Sequence, residues 1–323
     1  MNSSVLINVD NITRFYGTTC AVKQISFQVQ RGEVLGFLGP NGAGKSTTML
    51  MLTGNLAPSS GEIIINGHNL RTKPKSAKRY LGFLPEHPPL YREFTVEEYL
   101  RICAKLNRVT PPQLTRSLDS VMERCGLTQV RKRLIGVLSK GMQQRAGIAQ
   151  AIIHNPPVVI LDEPTVGLDP IQIREIRQLI RELAGEHSVI LSSHILPEIQ
   201  STCDRVQIIH RGELVLTDSV KNLEHHLRES SLIVGLKNPP QASELQNIQG
   251  VIEVESLDAH RFKINFDPNQ DPAEAIATKA SQQQWRLFEL SPEKRSIEQL
   301  FVDIITSEPA AESANTDSQE QVA

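Results

Sequence analysis

At 323 residues the chain is longer than one ordinary domain needs, and 39% apolar with 22% charged residues allows a sizeable buried core. The net charge of −2, with acids and bases interspersed, excludes a global electrostatic argument for nucleic acid, and no nucleic-acid partner is expected. No stretch approaches the ~20 apolar residues that span a bilayer and the N-terminus lacks the pattern of a signal peptide, so any membrane role must be peripheral, through a partner.

In chain order, Val5, Ile7 and Val9 alternate with polar neighbours, as do Ile25, Phe27 and Val29, which predicts half-buried antiparallel strands. Val34–Leu38 is a continuous apolar run suited to a buried parallel strand, followed by a glycine-rich turn and a helix over Lys45–Leu52. Residues 86 to about 150 read as mostly helical, with a capping box from Thr95 to Glu98 ahead of a helix to about Leu106, and another helix over 115–125. Runs at 158–161 and 189–191 predict two more buried strands, flanking an amphipathic helix over 171–183. Strands alternating with helices indicate an α/β domain with a mainly parallel sheet over residues 5–224.

Composition shifts near residue 225, and 225–306 read as a small α+β domain. The expected order is a strand at 231–236, a helix at 242–247, strands at 251–255 and 261–266, a helix at 273–283, a strand at 285–290 and a last helix at 293–305. This is the order of a split-βαβ, ferredoxin-like unit plus a helix. No nucleophile–base pair stands out in it, and the adjacent His225 and His226 point to different helix faces, so its expected role is regulatory or structural. The tail 307–323, with four acids and no bases, reads as disordered. Four scattered cysteines without C-x-x-C spacing suit buried free thiols in a reducing compartment.

The chemistry concentrates in Gly39-Pro40-Asn41-Gly42-Ala43-Gly44-Lys45-Ser46, which satisfies G-x-x-x-x-G-K-[ST] and is followed by Thr47. Glycines let backbone N–H groups close around phosphate oxygens, and the helix N-terminus after them offers unpaired N–H groups and a positive dipole end. Lys45 is expected to reach the β- and γ-phosphates of ATP, and the Ser46 hydroxyl to ligate Mg²⁺. Asp162 and Glu163 end a buried strand, where open α/β sheets bind ligands. Asp162 is placed to hold Mg²⁺ and Glu163 to polarise the attacking water.

Leu138-Ser139-Lys140-Gly141-Met142-Gln143-Gln144-Arg145 resembles the signature of ATP-binding-cassette proteins, and the resemblance spans about residues 5–220. It implies an adenine-stacking Tyr16, a Q-loop position at Glu86 with a role on Mg²⁺ or its water, a D-loop at Asp169 and a switch histidine at His194. Singly these have plainer readings: Tyr16 as a packing aromatic, His194 as a structural histidine, Asp169 as a helix cap ahead of Pro170. As a set they imply an ATPase in which Ser139 and Gly141 of one subunit face the γ-phosphate held by the partner's loop, two subunits pairing head to tail. Lys140 and Met142 depart from the common LSGGQ pattern and Glu86 replaces the usual glutamine; Lys140 either favours bound phosphate or is solvated. The 84–91 run and the signature resemble export-type ATP-binding subunits, close to gliding-motility-associated and sodium- or drug-export ATPases. Such subunits sit peripherally on the cytoplasmic face of the inner membrane and pair with separately encoded permeases, met through the region from Glu86 to about Leu106. A ribosome- or DNA-acting cassette is the competing reading, but the chain has one cassette and no extended heptad run. A nucleotide-gated regulator is the other, set against the presence of Lys45, Asp162, Glu163 and His194.

Overall fold

The computed structural model describes residues 5–222, 228–267 and 270–294. The chain divides into two compact units at Val220/Lys221. In the first unit the elements run β1 (Val5–Tyr16), β2 (Thr19–Gln30), β3 (Val34–Leu38), α1 (Lys45–Leu52), β4 (Ser60–Ile65), β5 (His68–Asn69), α2 (Pro74–Lys78), β6 (Leu81–Leu84), α3 (Val96–Leu106) and α4 (Pro111–Arg124). They continue through α5 (Lys140–Ile152), β7 (Val158–Asp162), α6 (Pro170–Ala184), β8 (Ser188–Ser193), α7 (Leu196–Thr202), β9 (Arg205–His210) and β10 (Glu213–Ser219).

Two sheets share the core. The alternating segments form an antiparallel sheet of order β2-β1-β4-β5, burying Ile7, Val9, Val22, Ile25 and Val29. The continuous apolar runs form the second sheet, of order β10-β9-β3-β8-β7-β6, in which all neighbours are parallel except β10 against β9. Every residue of β3, β7 and β8 is buried, as expected where both faces are covered. Phe27 and Phe37 meet edge to face at 5.1 Å and tie one sheet to the other.

The helices start where local chemistry sets them. Thr95 caps α3 with the full reciprocal box: Glu98 N–H donates to Thr95 Oγ1 at 3.3 Å, and Thr95 N–H donates to Glu98 Oε2 at 2.9 Å. Helix α4 begins at Pro111 rather than residue 115, because prolines are well tolerated in the first turn, where their missing N–H groups need no partner. Ser139 caps α5 by accepting from Met142 N–H, and Asp169 caps α6 by accepting from Ile171 and Gln172 N–H.

The second unit contains β11 (Arg228–Leu236), α8 (Ala242–Gln246), β12 (Val251–Ser256), β13 (Arg261–Phe266), α9 (Ala273–Gln282) and β14 (Leu287–Lys294). Its sheet has order β12-β13-β11-β14 with every pair antiparallel, the split-βαβ arrangement. Leu232, Val234, Phe262, Ile264, Ile276 and Trp285 form its own core.

The expected last helix is corrected at its start. A helix starting at Glu293 is not formed there: β14 runs on through Lys294, and Glu293 pairs with Lys263 at 2.7 Å and accepts from Ser231 at 2.9 Å across the sheet. The remainder of that helix, the tail 307–323 and His225 and His226 lie outside the described residues. Alternation did not flag β9 and β10, a hairpin whose turn places Arg211 and Gly212 at positive φ. Of the free cysteines, Cys103, Cys125 and Cys203 are buried and Cys20 is half-buried.

Candidate nucleotide site

Strand β3 delivers the chain into the glycine loop, and α1 leaves it. A Cβ on Gly39 would lie 2.4 Å from the carbonyl oxygen of Ile209, and Gly44 takes φ +109°, so side chains are excluded at both ends of the loop. Thr48 N–H donates to Gly44 O at 2.9 Å, so the N–H groups of the turn before it have no acceptor within the helix. This is the arrangement that receives an anion.

Lys45 is 5% exposed, and its Nζ donates to Gly39 O at 2.9 Å and Pro40 O at 3.2 Å. The same Nζ lies 3.2 Å from Glu163 Oε1, close enough for ion pairing but without hydrogen-bond alignment. Glu163 Oε2 lies 2.9 Å from His194 Nδ1. The backbone of Glu163 is in the left-handed region, φ 48°, an uncommon conformation for a side-chain-bearing residue and one that clusters at functional sites.

Asp162 accepts from Ser192 Oγ at 2.5 Å and from Ser46 Oγ at 3.3 Å. Ser192 Oγ in turn accepts from Glu163 N–H at 3.0 Å, so one hydroxyl holds both acids. Burial pushes the Asp162 carboxyl above its ordinary range; the two serine hydrogen bonds oppose this, and the charges of Glu163 and Glu86 add to the rise.

A cavity of about 330 Å³ is lined by Asn41, Gly42, Gly44, Lys45, Ser46 and Thr47 together with Glu86, Glu163 and His194. Gly39, Pro40 and Ala43 shape the loop behind it. Tyr16 does not line this cavity: it is half-exposed at the end of β1, with the Arg14 guanidinium 5.0 Å above its ring. Ser139, Gly141 and Asp169 come together in a second cavity of about 260 Å³, which also takes in Met142 and shares no lining residue with the first. Lys140 is exposed, its Nζ against Gly167. Sequence reasoning missed the bridging role of Ser192 and overlooked Thr165 and Glu198; the serine was visible only as a neighbour of His194.

A sequence profile described as ABC transporter matches residues 22–166. The Bacitracin transport ATP-binding protein BcrA of Bacillus licheniformis is 44% identical over 266 residues, covering 82% of this chain and 83% of the relative. The chain belongs to the ABC transporter family. Another ABC relative, the Linearmycin resistance ATP-binding protein LnrL of Bacillus subtilis, is 31% identical over 93% of this chain and 98% of its own length. A solved structure described as an ATP binding subunit of an ABC transporter is 32% identical, with a TM-score of 0.62 over 68% of this chain and 92% of that one. The dimeric post-hydrolysis structure of the cassette MJ0796 bound to ADP and Pi, 22% identical with a TM-score of 0.61 over 67% of this chain and 99% of that one, shares the ABC fold. The chain is thus an ATP-hydrolysing, nucleotide-binding subunit of the export-type ABC transporters, a family whose ATPase subunits work with membrane permease components. No helix among its described residues is long and apolar enough to cross a membrane.

Proposed function

We propose that this subunit hydrolyses ATP with Mg²⁺ in a head-to-tail pair and energises a separately encoded export permease from the cytoplasmic face of the membrane. The observation that carries this reading is the contact of buried Lys45 and Glu163 with the exposed His194 on the phosphate-loop cavity, set apart from the Ser139–Gly141–Asp169 cavity. The resemblance to ATP-binding cassettes implies that the signature of one subunit completes the phosphate-loop site of its partner, and the chain holds one of each in separate cavities.

The residues present fit a nucleotide-borne Mg²⁺. Ser46 and Asp162 converge within 3.3 Å, and a cation beside Asp162 offsets the cost of its burial. Glu86, on the same cavity, is a further oxygen donor. Among the described residues no group of three or more His, Cys, Asp or Glu side chains is arranged for a metal, which suits an ion carried in on phosphates rather than caged by protein. Bound Mg²⁺ would neutralise charge on the phosphate oxygens.

The protein's own groups divide the remaining work. Lys45 opposes charge on the β- and γ-phosphates, and Glu163 accepts the proton of the attacking water. His194 holds the Glu163 carboxylate in place and lines the same cavity. Tyr16, exposed at the strand end, is free to stack on adenine. Replacing Lys45 with Ala is the direct test: MgATP binding or turnover is expected to be abolished, and wild-type ATPase activity in that variant would refute the assignment of the loop. Copurification with a polytopic membrane protein tests the permease.

A further inference from the structure

We propose that Glu198 is a positioning residue for hydrolysis, a buried strut that fixes the Glu163–His194 contact without touching nucleotide. Its side chain is 1% exposed and lines neither cavity described above. Oε1 accepts from Thr165 Oγ1 at 2.7 Å, and Oε2 accepts from Ser193 Oγ at 2.7 Å. Thr165 stands two residues beyond Glu163, and Ser193 immediately precedes His194. One carboxylate therefore spans the two loops that carry the two partners of the 2.9 Å contact.

Three further observations support the strut. Ser193 Oγ also accepts from Ile195 N–H at 3.0 Å, which fixes the turn around His194. Arg177 on α6 approaches Glu198 Oε1 at 3.4 Å and offsets its charge, while α6 starts at the Asp169 cap of the signature cavity. Glu163 is held at φ 48°, a conformation that persists only where the surroundings enforce it. A buried carboxylate is costly unless fully partnered, and here both hydroxyl partners, Thr165 and Ser193, belong to the loops that carry Glu163 and His194.

This inference rests on the reading that Glu163 and His194 act in catalysis, and the test separates the two. Glu198→Gln and Thr165→Val are compared with Glu163→Gln and His194→Ala in the full chain. The readouts are kcat, affinity for a fluorescent ATP analogue, and the His194 ring cross-peak in the absence of nucleotide. Glu198→Gln is expected to lower kcat about ten- to a hundredfold, the scale of a misplaced catalytic group, with affinity held within about twofold. The His194 cross-peak should shift, and Glu198→Gln should add nothing in a His194→Ala background. Thr165→Val, which removes only one hydroxyl, should show the same pattern more weakly and serves if Glu198→Gln does not fold. An unchanged kcat, an affinity that falls in step with kcat, or an equal loss in the His194→Ala background overturns the strut. If Glu163→Gln and His194→Ala keep full activity, the catalytic reading fails and the strut with it; if they are inactive while Glu198→Gln and Thr165→Val are normal, the strut alone fails.

Discussion

His194 Nδ1 lies 2.9 Å from Glu163 Oε2, while the other carboxylate oxygen of Glu163 lies 3.2 Å from Lys45 Nζ. The acid is thus held between a cation of the phosphate loop and an imidazole from the loop after the neighbouring parallel strand.

Replacing Glu163 with Gln keeps its size and much of its hydrogen bonding but removes its basicity. The variant is expected to bind MgATP and to hydrolyse it ~10²–10⁴ more slowly, the usual loss of a general base. Undischarged ATP should hold two chains together. Single-turnover hydrolysis paired with sizing chromatography checks this, and near-normal turnover would remove Glu163 from its role.

The loop glycines should differ in their tolerance. A methyl on Gly39 would meet the Ile209 carbonyl oxygen at 2.4 Å, whereas one on Gly42, at φ +80°, would meet nothing within 4 Å. Gly42→Ala should therefore cost only left-handed strain, about 1–2 kcal/mol. Gly39→Ala must displace backbone, and its MgATP affinity should fall further than that of Gly42→Ala. Titration of both variants with ATP gives the order, and the reverse order would contradict the steric argument.

Stability should fall with acid in a window set by two histidines. Burial holds His154 and His187 below the ordinary imidazole value of 6.5. The unfolded chain then binds more protons than the folded one, so this stability is present above pH 6.5 and is lost as pH falls below it. Glu97, held at about 2 by Arg131 and then Arg101, contributes above its ordinary 4.5 and loses that contribution only as pH falls toward 2. Urea midpoints between pH 7.5 and 5.5 should therefore drop for the wild type and drop less for His187→Gln. Equal slopes would exclude His187 as a source.

Permease docking is expected on the segment from Glu86 to Leu106. Cys103 is buried and unsuited to cross-linking, whereas Tyr91 is 55% and Leu106 76% exposed. Cysteines placed at Tyr91 and Leu106 should cross-link to the permease in the assembled transporter. Permease cross-links confined to cysteines at 231–294 would show that docking lies elsewhere.

The sequence by itself determined what depends on neighbours along the chain. The Gly39–Ser46 loop, the Thr95–Glu98 box and the apolar runs of β3, β7 and β8 are local patterns of period, capping and backbone freedom, and they were legible without coordinates. The hairpin β9–β10 was not, because its strands are respectively almost wholly buried and half-buried, with no clean alternation to read. Only the tertiary structure decided that Asp162 sits opposite Ser192, since that pairing follows from the parallel register of β7 and β8. The same register brings Glu163 to His194, and helix α7 then carries Glu198 back beneath both. Side chains some thirty positions apart meet through strand alignment and helix docking, and those are set by the packing of the whole core rather than by any local pattern.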